Sequence, residues 1–319
     1  MIKKVLVTGG TGYLGGRIVN ELAADNKHYV RATALLVNQK VIVTSPSSEI
    51  VHMDLLNDEQ IRSACRDVDC IIHLAAVNEI ISAREPERAL AVNGMGTLKL
   101  IRAAEEEGVK RFIYMSTAHI YGAPLAGSIT EATLPRPVHP YAITHRVAED
   151  FVLSALSRQA LQGVVIRLSN ALGSPADPQV DRWSLVANDL CRQVVSNGKM
   201  QLRSAGLQMR DFINIADVCA AIKHFMELPE STLDDGLFNL GGENPLSIIN
   251  LAEIIAQRYQ DIFGREPQII RPPVDSDEAV PAHLFYSIDK LKSTGFKPNG
   301  TIEDAIDETL LFCEQHFGH

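Results

Sequence analysis

The 319-residue chain has no run of roughly 18 apolar residues, so no membrane span is expected. Its five cysteines, Cys65, Cys70, Cys191, Cys219 and Cys313, are scattered and lack short paired spacings. That argues against a disulfide framework or a metal site and leaves buried free thiols in a reducing cytoplasm as the expectation. Positive charge is scarce: 30 Lys and Arg stand against 39 Asp and Glu, a net charge of −9. Nucleic acid and anionic membrane surfaces are therefore not expected as partners, because holding phosphates needs clustered Lys and Arg. The N-terminus, MIKKVLVTGG, enters a strand at once and shows no signal-peptide pattern. Repeats and low-complexity tracts are also missing.

What is present is an alternation. Buried-strand runs (KKVLVTG, YVRATALL, SEIVHMDL, DCIIHLAA, RFIYMST, GVVIRLS) are separated by helix-period stretches. The helical stretches are Tyr13 to Ala24, DEQIRSACR, GTLKLIRAAEEEG and YAITHRVAEDFVLSALSRQ. Such alternation predicts an α/β fold with a parallel sheet covered on both faces. After Leu168 prolines and glycines become frequent, and helices SLVANDLCRQVVSN and SIINLAEIIAQRY stand among short strands. The boundary is placed there: residues 1–168 form the sheet domain, and 169–319 a smaller mixed α/β lobe interleaved with the sheet.

The stretch VLVTGGTGYLGG puts Gly9, Gly12 and Gly15 three apart, after a strand and opening a helix. In that context Gly9 permits the tight turn, and Gly12 lets backbone N–H groups approach a pyrophosphate. Gly15 lets helix and strand pack closely, and the helix dipole favours the anion. A dinucleotide is therefore expected on residues 1–168. The acidic residue that usually marks NAD by holding the adenosine ribose is missing, since no Asp or Glu lies between Lys27 and Ser48. Arg31 and Lys40 do not establish NADP either, so the choice between NAD and NADP stays open.

Further motifs follow in order: MDLLN, IIHLAA, AVNGMGTLKLI, MSTAHIYG, PYAITH, IRLSNALG, RDFINIADV, FNLGG and IDKLKSTGFKP. With the glycine turn, they make nearly the whole chain resemble the extended short-chain dehydrogenase/reductase family. The likeness is strongest to its NAD-dependent epimerase/dehydratase group, which acts on nucleotide sugars. The resemblance implies a Rossmann-type doubly wound parallel sheet with a smaller C-terminal mixed α/β substrate lobe. It puts Gly9, Gly12, Tyr13, Leu14 and Gly15 at the cofactor, with Asp54 and Leu55 at its adenine. Leu74, Ala75, Ala76 and Asn93 border it. Asn170 and Arg210 match positions that contact a nucleotide diphosphate. Arg271 is the candidate for a further arginine near the C-terminus. The family's helices here, GTLKLIRAAEEEG and HRVAEDFVLSALSRQ, imply a homodimer through a four-helix bundle. Leu98, Ile101, Ala104, Val147, Phe151 and Ala155 lie at helical spacings on them.

In the family a tyrosine takes the proton from a substrate hydroxyl while hydride moves to nicotinamide. A Ser or Thr hydroxyl holds the oxygen, and a lysine one helical turn after the tyrosine binds the ribose and lowers the phenol pKa. Tyr141 matches the tyrosine; Thr117, beside Ser116, matches the hydroxyl. The lysine position is His145. The i, i+4 spacing shares one helix face, and a phenol with pKa near 10 needs a positive charge to act near neutrality. An imidazole with pKa about 6.5 supplies that charge only when protonated. Tyr141 is then either a base helped by imidazolium, with activity falling above about pH 7, or part of a site that keeps only cofactor binding. A second departure is Ala118-His119 after Thr117, where the 4,6-dehydratases carry Asp-Glu. Without those carboxylates elimination lacks its acid and base. The expected activity is a cytoplasmic NAD(P)-dependent epimerase or oxidoreductase on a nucleotide sugar. The alternatives are a reductase or dehydrogenase of a non-nucleotide substrate, or an NAD(P)-binding sensor or scaffold.

Overall fold

The computed structural model describes residues 4–35, 46–273 and 283–318. Lys40 lies outside them. Seven strands form the central sheet: β1 (Lys4–Thr8), β2 (Tyr29–Ala34), β3 (Ser48–His52), β4 (Cys70–His73), β5 (Arg111–Thr117), β6 (Gln162–Leu168) and β7 (Leu237–Leu240). Their order is β7-β6-β5-β4-β1-β2-β3, and every pairing is parallel. The interior strands are continuous apolar runs because both faces are covered; Val5, Leu6 and Val7 of β1 are fully buried.

Five helices provide the cover: α1 (Tyr13–Ala24), α2 (Asp58–Cys65), α3 (Thr97–Glu106), α4 (Pro140–Ser157) and α5 (Ile215–Glu227). α1 and α5 bury Ile18, Leu22, Val218, Ile222 and Phe225 on one face. α2, α3 and α4 bury Ile61, Leu100, Ile101, Val152 and Ala155 on the other. The chain winds outward one way from β1 and the other way from β4. The crevice where binding residues gather in such sheets thus opens between the carboxyl ends of β1 and β4.

The sheet takes strands from both halves of the chain. β7 pairs with β6 from Leu237↔Val165 to Leu240↔Leu168, and α5 packs beneath it. Much of the later chain gathers on a separate core. There Leu190, Val194, Leu251, Ile255, Ile306 and Leu310 join the helices Val186–Asn197, Ile248–Phe263 and Ile302–Phe317.

α3 is longer in effect than its sequence pattern predicts. A helical turn at Pro86–Ala89 runs through a π-helical stretch, Leu90–Gly96, before α3 begins. Its glycines serve close packing. A Cβ on Gly94 would stand 3.2 Å from Val147, and one on Gly96 would stand 2.9 Å from Leu55.

All five cysteines are free and buried, and burial pushes the thiols of Cys65, Cys70, Cys219 and Cys313 up to about 12. Among the described residues no helix is long and apolar enough to cross a membrane, and no His/Cys/Asp/Glu cluster suits a metal ion.

Candidate active site

A single cleft of about 1230 Å³ runs from the glycine turn past α4 into the second lobe. At its first end, Gly9 has φ +66°, and a Cβ there would meet the Ala75 backbone at 3.0 Å. A Cβ on Gly15 would fall 2.1 Å from the Gly9 carbonyl. Side chains are thus excluded where a pyrophosphate needs backbone, and Gly9, Gly12, Tyr13, Leu14 and Gly15 all line the cleft. The Tyr13 hydroxyl itself turns away and donates to the Gly173 carbonyl (2.8 Å), tying α1 to the second lobe.

The loop after β4 is held by a closed polar chain. Thr8 Oγ1 accepts the N–H groups of Leu74 and Ala75 (both 3.2 Å) and lies 2.6 Å from His73 Nδ1. His73 Nε2 lies 2.9 Å from Thr97 Oγ1, which donates to the Asn93 carbonyl (2.5 Å). Burial lowers the His73 pKa to about 3 and keeps the ring neutral. Leu74, Ala75 and Ala76 therefore sit firmly on the cleft wall, which Asp54 and Leu55 also line. The Asp54 carboxylate accepts the Leu56 N–H (2.9 Å).

Asn93 does not line the cleft. Its carboxamide accepts from the Val77 N–H (2.8 Å) and donates to Thr144 Oγ1 (3.0 Å), joining the loop after β4 to α4. Arg31 is also spent elsewhere: Nε contacts Glu49 (2.7 Å), and the guanidinium donates to the Ala64 carbonyl (2.8 Å).

At the centre, Pro140 opens α4 and His139 caps it, Nδ1 accepting from the Tyr141 N–H (3.2 Å). This places Tyr141 on the cleft wall with Ser116 and Thr117 from the end of β5. Thr117 Oγ1 accepts the His119 N–H (3.2 Å), and Ser116 Oγ is buried without a partner. Burial raises the Tyr141 phenol to about 12; Arg182 pulls it down and Glu79 pushes it up.

His145 is 3% exposed, and its ring meets that of Tyr141 edge-on at 4.4 Å. Nδ1 lies 2.6 Å from the buried Tyr114 hydroxyl, which has no other hydrogen-bond partner among the described residues and so donates to it. The proton then sits on Nε2, which is buried, unpartnered and part of a residue lining the cleft. Burial lowers the His145 pKa to about 3. An imidazolium at this position is thus not formed near neutrality, and the expected loss of activity above pH 7 has no source in His145. Desolvation of a ring whose acceptor nitrogen is already satisfied outweighs any benefit of the charge.

At the far end, Asn170, Arg182, Arg203 and Arg210 line the cleft. The Asn170 amide donates to the Asp211 carbonyl (2.9 Å), and Arg210 Nη2 lies 3.3 Å from Gln208 Oε1. His119 also faces this space, its pKa lowered by burial and then by Arg210. Arg271 is outside the cleft lining; its guanidinium donates to the Ala205 carbonyl (3.0 Å). Arg182 and Arg203 escape sequence reasoning because nothing in their local text marks them as facing a cleft.

The arrangement fits a pyrophosphate-bridged dinucleotide. The glycine cradle takes the pyrophosphate, and the orphan His145 Nε2–H and Ser116 hydroxyl wait for acceptors beside Tyr141.

A family model for the NAD dependent epimerase/dehydratase family matches residues 5–241. Among curated proteins, the dTDP-D-glucose 4,6-dehydratase of Mus musculus is 26% identical, covering 99% of this chain and 90% of that one. A putative UDP-glucose 4-epimerase of Methanocaldococcus jannaschii is 25% identical, covering 98% and 99%. Among solved structures, the UDP-glucose 4-epimerase of Thermotoga maritima with UDP-glucose superposes with a TM-score of 0.81 at 23% identity, covering 98% and 99%.

Proposed function

The chain belongs to the NAD dependent epimerase/dehydratase family, and from that premise we propose that it is an NAD(P)-dependent epimerase or oxidoreductase of a nucleotide sugar. The observation that carries this reading is the continuity of one cleft from the glycine turn, past Tyr141, to Arg203 and Arg210. Bound nicotinamide would supply the hydride acceptor or donor. The chain's residues do the rest. The glycine turn holds pyrophosphate, Asp54 and Leu55 flank the adenine, and His145 Nε2–H donates to a ribose hydroxyl. Thr117 and Ser116 hold the substrate oxygen, and the Tyr141 phenolate removes its proton and later returns it. Arg210, with Arg203, suits a diphosphate. The dehydratase branch is disfavoured because Ala118 and His119, not a pair of carboxylates, follow Thr117. Five free thiols accord with a reducing cytoplasm. The test is a panel of UDP-, dTDP- and GDP-sugars followed by nicotinamide absorbance and by chromatography of the sugars. The reading fails if no substrate changes either signal.

A second reading, cofactor binding without turnover, is favoured by one observation: the neutral His145 beside a phenol raised to about 12. His145→Lys separates the two. A lysine charge one turn from Tyr141 is expected to lower the phenol pKa and raise turnover at pH 7 by about 10- to 100-fold. No turnover in parent or variant leaves the binding protein.

A homodimer is part of the proposal. Ile101, Ala104 and Ala155 pack on the sheet, whereas Leu90 (50%), Met95 (50%) and Ile143 (44%) stay exposed around α3 and α4. Light scattering is expected to give twice the 35.0 kDa chain mass. Ile143→Asp is expected to halve it; a parent already monomeric would refute the dimer.

A further inference from the structure

In a site that works through Tyr141, something must stabilise the phenolate, and the Tyr141 helix does not. His145 is neutral, and among the described residues no lysine lines the cleft. Its cations are Arg88, Arg182, Arg203 and Arg210. Arg88 is paired with Glu85 on its own turn (3.2 Å).

Arg182, like Arg203 and Arg210, comes from the second lobe, and among the described residues it alone of the three is paired with a residue of the sheet domain. It lies on the turn that leads into the Val186–Asn197 helix of the second lobe. It nevertheless reaches across the cleft, with Nη1 3.2 Å from Glu79 Oε2. Glu79 is the first residue of the short helix Glu79–Arg84, which packs against α4, the helix of Tyr141. A cation from the second lobe and a carboxylate on a helix packed against the Tyr141 helix thus meet in the cleft that Tyr141 also lines.

We propose that Arg182 supplies, from the second lobe, the positive charge that Tyr141 lacks on its own helix, and that Glu79 sets how much of that charge the phenol feels. The assignment rests on the reading of Tyr141 as the acid/base. Arg182 acts through Tyr141 and so is a positioning residue for charge rather than a catalytic one.

The electrostatics agree in sign. Burial is the largest influence on the phenol and raises it; Arg182 is next and lowers it; Glu79 follows and raises it. Several of the other ionisable groups packed around α4 are engaged or uncharged. Tyr114 of β5 is bound to His145, and Glu149 is held by buried Arg167 of β6 (2.7 Å). His139 caps the helix, and His119, on the turn after β5, has its pKa lowered by burial and Arg210. Arg182 and Glu79 form an ion pair that is partly open to solvent, so either partner can be changed without leaving a fully buried charge behind.

The experiment titrates residue 141 directly. A fluorinated tyrosine placed there, whose lower intrinsic pKa brings the transition into a range the fold survives, is followed by fluorine NMR. The parent is compared with Arg182→Gln, Arg182→Lys and Glu79→Gln. The pH profile of kcat/KM is recorded for the same substitutions with natural tyrosine. Arg182→Gln is expected to raise the phenol pKa by about one unit, which lowers turnover about tenfold on the rising limb. Arg182→Lys should restore most of the shift, since the charge returns. Glu79→Gln should move the pKa the other way. The proposal is overturned if Arg182→Gln leaves the fluorine titration where it was, or if Glu79→Gln raises it. A titration that shifts as expected with no turnover in any variant upholds the charge pairing and overturns the acid/base reading instead.

Discussion

Tyr141→Phe is expected to lower turnover by about 10³-fold while leaving the fold and the nicotinamide affinity near those of the parent. The size follows from removing a positioned proton acceptor, which costs about 10²- to 10⁴-fold. The selectivity follows from the geometry. The Tyr141 hydroxyl makes no hydrogen bond to another described residue, so its removal leaves no buried group unsatisfied. The helix cap uses the Tyr141 backbone N–H, which phenylalanine keeps. The edge-on ring contact with His145 at 4.4 Å survives as well. Nicotinamide binding by fluorescence and melting temperature are the controls. Turnover within tenfold of the parent would show that the proton leaves by another route, His119 being another titratable group that lines the cleft.

The sheet was readable from sequence because its signals are local. Buried runs such as KVLVT must lie between two covered faces, and a glycine triplet between strand and helix admits few other conformations. The predicted helix Tyr13–Ala24 has the observed bounds. The Pro86–Gly96 helical run was not readable from periodicity, because Gly94 and Gly96 look like loop residues until Val147 and Leu55 are seen against them. The site divides in the same way. Tyr141 and His145 share a face by spacing alone. That His145 is neutral, however, depends on Tyr114, 31 residues away, and on burial that spacing does not encode. Arg182 and Glu79 meet across 103 residues of chain, with no motif at either end. Arg271 shows the converse: the candidate for the family's further arginine, in text that departs from the family's pattern, ends against the Ala205 carbonyl, outside the cleft lining.

Acidification is expected to destabilise the fold steeply below about pH 6.5, and two buried histidines are the reason. His73 and His145 have folded pKa values of about 3, lowered first by burial, with the two rings also opposing each other's charge at His73. An unfolded histidine titrates near 6.5. Between those values the unfolded chain binds more protons than the folded one, so unfolding takes up protons and stability falls as pH falls. Each group contributes a slope of up to about 1.4 kcal/mol per pH unit. The structure explains why neither ring accepts the proton in place. Thr8 Oγ1 already receives two backbone N–H groups, so a proton on His73 Nδ1 would crowd a third donor onto it. A proton on His145 Nδ1 would face the hydroxyl hydrogen of Tyr114. Asp211 works in the opposite direction. Burial raises its pKa to about 6, so it regains stability on protonation and offsets about one of the two protons between roughly pH 4 and 6. The net expectation is a loss of about 4 kcal/mol from pH 6.5 to pH 4 from these three groups. His145→Gln keeps an acceptor for Tyr114 but cannot be protonated. Its stability, measured by denaturant unfolding at pH 4 to 7, should fall less steeply than the parent's by about 1.4 kcal/mol per pH unit. Identical slopes would mean that His145 is not a buried neutral ring, and the account of a charge-poor Tyr141 would go with it.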